Sequence, residues 1–270
     1  MPQPVFSIHF KQFKMITDLA DLADREHFSF SISCDGFSTV LYDVANTWIA
    51  RYTIPAHNLP KVAEPWETEP YDAITKIGLE TNEMKSRIKP AIGKYGEHVK
   101  FGSDPSMPNL IRCGPVSIPL ECYDIGLQLP GNNYSAPEVP KGYDSPAVVY
   151  SVRTKPFEHI CSLLGEHIIF RYNDKRHFLI EDGVDKRDRF HPGTSVQMEQ
   201  FSIPYQLNEP DVSKRTIING RTMRDFLKPM AAYIPMTKIT IRQDYPLMLE
   251  GNDVFGGFVE FIIAPRIISE

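Results

Sequence analysis

The chain has no CxxC pair, and none of its four cysteines (Cys34, Cys113, Cys122, Cys161) has a histidine at a spacing that suits zinc. That argues against a scaffold built on metal or disulfides, and reduced thiols are expected. The first twenty residues, MPQPVFSIHFKQFKMITDLA, lack the basic start and continuous apolar run of a secretory leader. No apolar stretch approaches the roughly 18 residues that a bilayer-crossing helix needs. A soluble intracellular protein without a membrane partner is the expectation. Positive charge is short too: 29 Lys and Arg stand against 34 Asp and Glu, for a net charge of −5. This speaks against a chain that coats nucleic acid with its whole surface. What matters is where the cations stand.

The 270 residues, 42% hydrophobic and 23% charged, suffice for two domains of roughly 100–150 residues with ordinary cores. Two phrases occur twice. MKSRIKPAI (Met84 to Ile92) is echoed by MRDFLKPMA (Met223 to Ala231), 139 residues later. KQFKMITDL (Lys11 to Leu19) is echoed by KPFEHICSL (Lys155 to Leu163), 144 residues later. Two matches in the same order at nearly equal offsets point to an internal duplication.

Each phrase reads as a short amphipathic helix. The apolar stripes are Phe13, Ile16, Leu19, Ala20 and Ala23; Met84, Ile88, Ala91 and Ile92; Phe157, Ile160, Leu163 and Leu164; and Met223, Phe226, Leu227, Met230 and Ala231. Pro90 and Pro229 fall inside the second and fourth helices, where a proline forces a kink or an early end. HFSFSISCDGFSTVLYDV and EHIIFRYNDKRHFLIEDG alternate apolar and polar residues around a turn and predict hairpins, and MTKITIRQDYPLMLEG followed by GFVEFIIAPRI makes another near the C-terminus. The fold class is α+β, with helices covering antiparallel sheets. Residues 1–121 and 148–270 are the expected domains. The Pro-, Gly- and Asn-rich stretch 122–147 is the connector.

The cations follow the repeat. Lys85 and Lys89 lie four apart, Arg224 and Lys228 stand at the same offsets, and Arg221 extends that line by a turn. Lys11, Lys14, Arg153 and Lys155 come from the first and third helices. Cations on outer helix faces are usually just solvated, but repetition at fixed offsets favours a shared surface. With no base-reading or stacking set beside them, they suit phosphate contact without sequence preference.

The layout resembles DNA sliding clamps of the proliferating cell nuclear antigen (PCNA) family. The resemblance rests on GGFVEFIIAPRI (Gly256 to Ile267), LQLPGNNYS (Leu127 to Ser135), DGFSTVLYD (Asp35 to Asp43) and DYPLMLE (Asp244 to Glu250). It covers nearly the whole chain. The connector is longer after Tyr134 than in the family, the stretch Pro55 to Pro70 is unusual, and both second helices carry Lys-Pro.

The resemblance implies a homotrimeric ring around double-stranded DNA, with sheets outside and two helices per domain inside. The segment Cys113 to Tyr123 would add to the edge Ser195 to Gln200 of the next copy. It also implies a hydrophobic groove lined by Tyr42, Asn46, Leu127, Leu129, Pro130, Tyr134, Pro246, Ala264 and Pro265. That groove would take short peptides of DNA polymerase, clamp loader, ligase and nuclease. No cofactor, metal or catalysis is implied. The location would be the nucleus in a eukaryote and the cytoplasm for an archaeal or viral chain. A heterotrimer or checkpoint-clamp subunit, or a viral monomeric or dimeric processivity factor, stays open. So does a metal-dependent nuclease using Glu181 to His191 or Asn173 to His177.

Overall fold

The computed structural model of the chain describes residues 6–23, 27–59, 75–81, 98–103, 110–115, 123–126, 148–172, 177–183, 195–199, 215–242 and 245–266. Two compact units are present. The first comprises Met1–Asn46, Ala50–Pro137 and Asp253–Val259; the second comprises Thr47–Ile49, Glu138–Asn252 and Glu260–Glu270.

The strands of the first unit are β1 (Phe6–His9), β2 (His27–Ser33), β3 (Gly36–Tyr42), β4 (Trp48–Pro55, mostly in this unit), β5 (Thr75–Glu80), β6 (His98–Ser103), β7 (Leu110–Pro115) and β8 (Tyr123–Gly126). The second unit has β9 (Val148–Arg153), β10 (His167–Tyr172), β11 (His177–Gly183), β12 (Ser195–Glu199), β13 (Arg215–Asn219), β14 (Met236–Ile241), β15 (Leu247–Asn252) and β16 (Phe258–Ile263, mostly in this unit). In the first unit the neighbours run β1-β6-β7-β8 and β5-β2-β3-β4; in the second they run β9-β14-β15-β16 and β13-β10-β11-β12. Counted from each unit's first strand, the two orders are identical. The duplication read from two helix phrases therefore extends to the whole pattern of strand pairing.

The hairpins follow from alternation. In β2, Phe28, Phe30 and Ile32 are buried while Ser29, Ser31 and Ser33 are half-exposed, the period of two that puts one face on a core. Ser33 pairs with Gly36 around Cys34 and Asp35. Gly36 has φ 126°, and a Cβ there would collide with the Ile54 carbonyl, so this turn needs glycine. The expected pairing β10–β11 is present. MTKITIRQDYPLMLEG, expected to pair as one segment with GFVEFIIAPRI, holds two strands, β14 and β15, which pair with one another while β16 lies beside β15.

Helix α1 (Phe10–Leu22) begins at His9, whose Nδ1 accepts from the Lys11 N–H at 3.2 Å while the His9 N–H donates to Gln12 Oε1 at 3.3 Å, a reciprocal cap. Its predicted stripe is buried throughout. The first unit also holds a buried polar knot. Asp253 is 7% exposed. Tyr52 Oη donates to its Oδ2, and Gln12 Nε2 does so at 3.2 Å. The Phe255 and Gly257 N–H groups donate to Oδ1 at 2.7 and 2.9 Å. Burial, then the Asp253 charge, holds the Tyr52 phenol far above its usual range.

In the second unit, α2 (Thr154–Leu163) and α3 (Gly220–Tyr233) pack on one another. Phe157 of α2 meets Phe170 of β10 at 6.1 Å between ring centroids. Phe226 of α3 lies 4.6 Å from both Trp48 and Phe261. The Asn219 side chain starts α3 by accepting from the Arg221 and Thr222 N–H groups.

Two expectations need correcting. The α2 stripe is Thr154, Phe157, Cys161 and Leu164, with Ile160 half-exposed and Leu163 70% exposed. At 3.6 residues per turn, Leu163 stands about 120° around the helix from Phe157. The other concerns the early end, one of the two readings of Pro229: α3 continues to Tyr233, and the Ile234 N–H donates to Met230 O at 2.7 Å. Met230 and Ile234 are both buried beyond it, so packing carries the helix past the missing bond. Pro90 and its helix phrase lie outside the described residues.

Candidate nucleic-acid interface

The outer faces of α2 and α3 form the candidate surface. The Gly220 N–H donates to Glu166 O at 2.7 Å, and the Thr154 N–H donates to Pro235 O at 3.1 Å. Each helix therefore starts where the other ends, and the two run antiparallel. On α2 the exposed line is Lys155, His159 and Ser162, at i, i+4 and i+7, with exposed Arg153 just before the helix. On α3 it is Arg221, Asp225, Lys228 and Ala232. Four exposed cations stand against exposed Asp225 and Glu166 and half-buried Glu158. Within a chain of net charge −5, this face is locally positive. Arg221 Nε is 3.8 Å from Asp225 Oδ2 with both side chains exposed, a pair too loose and wet to neutralise it.

Of the sequence-predicted cations, Arg153, Lys155, Arg221 and Lys228 thus share one helix layer. Arg224 departs from them. It is half-buried, and its Nη1 donates to Leu164 O at 2.7 Å and to Gly165 O at 2.9 Å. In the first unit, Lys11 is exposed, with its ammonium 5.7 Å from the Phe255 ring centroid. Lys14 pairs with Asp18 at 2.6 Å, and Asp21 is exposed on the same helix, so the charge on that face of α1 is balanced. Lys85 and Lys89 lie outside the described residues. Sequence reasoning missed His159 and Ser162. Their spacing from Lys155 was the available signal.

Beneath this face, Cys161 is fully buried. Burial pushes its thiol well above the usual range; Glu158 adds to that and Arg224 opposes it. In the folded protein Cys161 should resist a water-soluble alkylating reagent that modifies exposed Cys34. Peptide mass mapping after brief labelling checks this, and modification of Cys161 at the rate of Cys34 would contradict it.

The predicted groove residues divide between the units. In the first, Tyr42 is buried at the end of β3, and Asn46 is exposed with φ 54°. In the second, Pro246 and Pro265 are half-buried and Ala264 is exposed. The Ala264 N–H donates to Thr47 O and the Arg266 N–H to Ile217 O, both at 2.8 Å. The Thr216 hydroxyl donates to Tyr245 O at 3.0 Å. The C-terminal tail and the turn before β15 therefore both border β13. Leu127, Leu129, Pro130 and Tyr134 lie outside the described residues.

Among the described residues, no group of three or more His, Cys, Asp or Glu could hold a metal ion, and no helix is long and apolar enough to cross a membrane. Residues 173–176 and 184–191 of the two nuclease candidates lie outside the described residues.

No protein-family model matches the chain, and no curated protein sequence does. Solved structures do. A PCNA of A. fulgidus, solved with the C-terminal region of FEN-1 bound, is 19% identical with a TM-score of 0.74, over 98% of this chain and 99% of that one. The PCNA of Thermococcus kodakaraensis is 15% identical with a TM-score of 0.73, over 97% and 99%. A structure from the PCNA2–PCNA3 complex of Sulfolobus tokodaii is 12% identical, again with a TM-score of 0.73 over 97% and 99%. The chain has the DNA-clamp fold along nearly its full length.

Proposed function

We propose that this chain is a DNA sliding clamp that encircles duplex DNA as a homotrimer and tethers replication and repair enzymes. The observation that carries the reading is the locally positive outer face of α2 and α3 in a net-negative chain. A clamp must remain on DNA by topology and still move. Each firmly neutralised phosphate adds counterion release, and with it affinity and salt dependence. A few exposed cations on one face, with an acidic balance elsewhere, give contact without a grip. The outer surface then repels the duplex.

The strand order offers a route to ring closure. β8 ends the group β1-β6-β7-β8, and β12 ends the group β12-β11-β10-β13, whose other end is bordered by the tail at Arg266. The expected segment Cys113 to Tyr123 holds the end of β7, an inner strand, and only the first residue of β8. Addition of β8 from one copy to β12 of the next is a heterologous contact, which closes a ring when its rotation returns on itself. Mass photometry of the pure chain is expected to give a species of three copies. A species of one or two chains would favour the heteromeric or lower-order alternatives.

Partner tethering is proposed at the tail and connector. One relative was solved with the C-terminal region of FEN-1, and the equivalent here is a short peptide of a nuclease, polymerase, ligase or clamp loader. Exposed Ala264 and half-buried Pro265 would receive its apolar plug together with Tyr42, Asn46, Pro246 and the connector residues Leu127, Leu129, Pro130 and Tyr134. Leu129→Ala combined with Pro265→Ala should weaken such a peptide at least about tenfold, the effect of losing roughly 1.4 kcal/mol. Calorimetry with a FEN-1-type C-terminal peptide reads this, and wild-type affinity in the double variant would move the peptide site elsewhere.

A further inference from the structure

We propose that Arg224 is a positioning residue for the nucleic-acid face and not one of its phosphate contacts, an assignment that rests on the DNA reading above. Its place in the sequence, four residues before Lys228, groups it with the outward cations. Its geometry does not. Three successive carbonyls of the chain leaving α2 accept from the first two turns of α3: Leu164 O and Gly165 O from Arg224 Nη1, and Glu166 O from the Gly220 N–H. A Cβ on Gly220 would collide with the Gly165 carbonyl, so glycine is what lets α3 start this close. Leu164 is the extended cap of α2 and Gly165 follows it, so the guanidinium bonds carbonyls just past the helix end, on the side where the helix carries partial negative charge.

The consequence concerns spacing. Lys155 and His159 project from α2, Arg221 and Lys228 from α3. The separation between these two rows depends on how α2 is seated against α3. The Arg224 staple sets that seating at one end, and the Thr154 N–H bond to Pro235 O sets it at the other. Arg224 therefore acts on DNA through its neighbours.

The test uses the full chain with Arg224→Gln, Arg224→Lys and, as a contact control, Lys228→Gln. Binding to a short mixed-sequence duplex is followed by fluorescence anisotropy over a salt series, with folding checked by circular dichroism. Lys228→Gln should make the slope of log affinity against log salt shallower by about one unit per chain. Arg224→Gln should weaken binding about three- to tenfold at fixed salt with the wild-type slope retained. Arg224→Lys should fall between it and wild type, because one ammonium can still reach the same carbonyls. A slope shallower by about one unit in Arg224→Gln makes the residue a phosphate contact and overturns the proposal. Unchanged affinity makes the staple purely structural and overturns it too. Should Arg224→Gln fail to fold, Arg224→Lys decides: weaker binding at the wild-type slope supports the proposal, and wild-type affinity overturns it. If folded wild type and Lys228→Gln alike show no binding even at low salt, the α2–α3 face does not contact the duplex, which overturns the proposal at its premise and is distinct from the other results.

Discussion

Reversing Lys155, Arg221 and Lys228 to glutamate together is expected to weaken duplex binding by about two to three orders of magnitude at 0.1 M salt. The salt slope should become shallower by about two to three units per chain. Both figures come from counterion release, at about 0.9 ion per neutralised phosphate. Stability should barely respond, because all three side chains are exposed and such positions usually change it by no more than about 0.5 kcal/mol each. The Arg221–Asp225 pair at 3.8 Å is too exposed to matter. A glutamate at 221 adds only a like-charge neighbour one turn from Asp225, a few tenths of a kcal/mol. Anisotropy across a salt series, run beside a thermal melt, separates the two effects. Wild-type affinity and slope in the triple variant would remove the α2–α3 face from DNA binding.

Asp253→Ala should be the most destabilising single change in the first unit. The carboxylate is buried and accepts from Tyr52 Oη, Gln12 Nε2 and two backbone N–H groups. Its removal takes the acceptor from three buried donors and from the half-buried Phe255 N–H, each buried donor worth about 1–3 kcal/mol when unsatisfied. Even the lower end, about 3 kcal/mol, is a large part of the roughly 5–15 kcal/mol that holds a domain together. Asp253→Asn restores part of the acceptor capacity and should cost about half as much. Tyr52→Phe loses one bond and should cost about 1–2 kcal/mol. Urea unfolding at neutral pH gives the order, and an Asp253→Ala midpoint equal to that of wild type would show that the knot contributes nothing.

The same knot has a pH signature. Burial and the Asp253 charge keep the Tyr52 phenol neutral in the folded state, whereas an unfolded tyrosine ionises near pH 10.0. The folded phenol pKa is the higher one, so its contribution is fully present below about pH 10 and lost as pH rises above it. Tyr52→Phe should flatten that alkaline decline.

The hairpins and the stripes of α1 and α3 were legible because alternation and a 3.6-residue period are local properties. The α2 stripe was misplaced because Ile160 and Leu163 are better hydrophobes than Cys161, although Cys161 occupies the correct angle. The groove residues were named by resemblance alone, and no local pattern marks them. Nothing local marks Asp253 either: its partners Tyr52 and Gln12 lie 201 and 241 residues away.

By itself, the amino-acid order determined the class of fold, the duplication and the set of cations that could meet phosphate. It did so through periodicity, repeated offsets and charge, which need no knowledge of distant contacts. Tertiary structure alone decided which cations stay on the surface. Lys228 and Arg224 are four residues apart on one helix, yet only Arg224 meets the carbonyls at the end of α2. That difference arises because α3 starts against the chain leaving α2, where two carbonyls just past the helix end accept from the guanidinium.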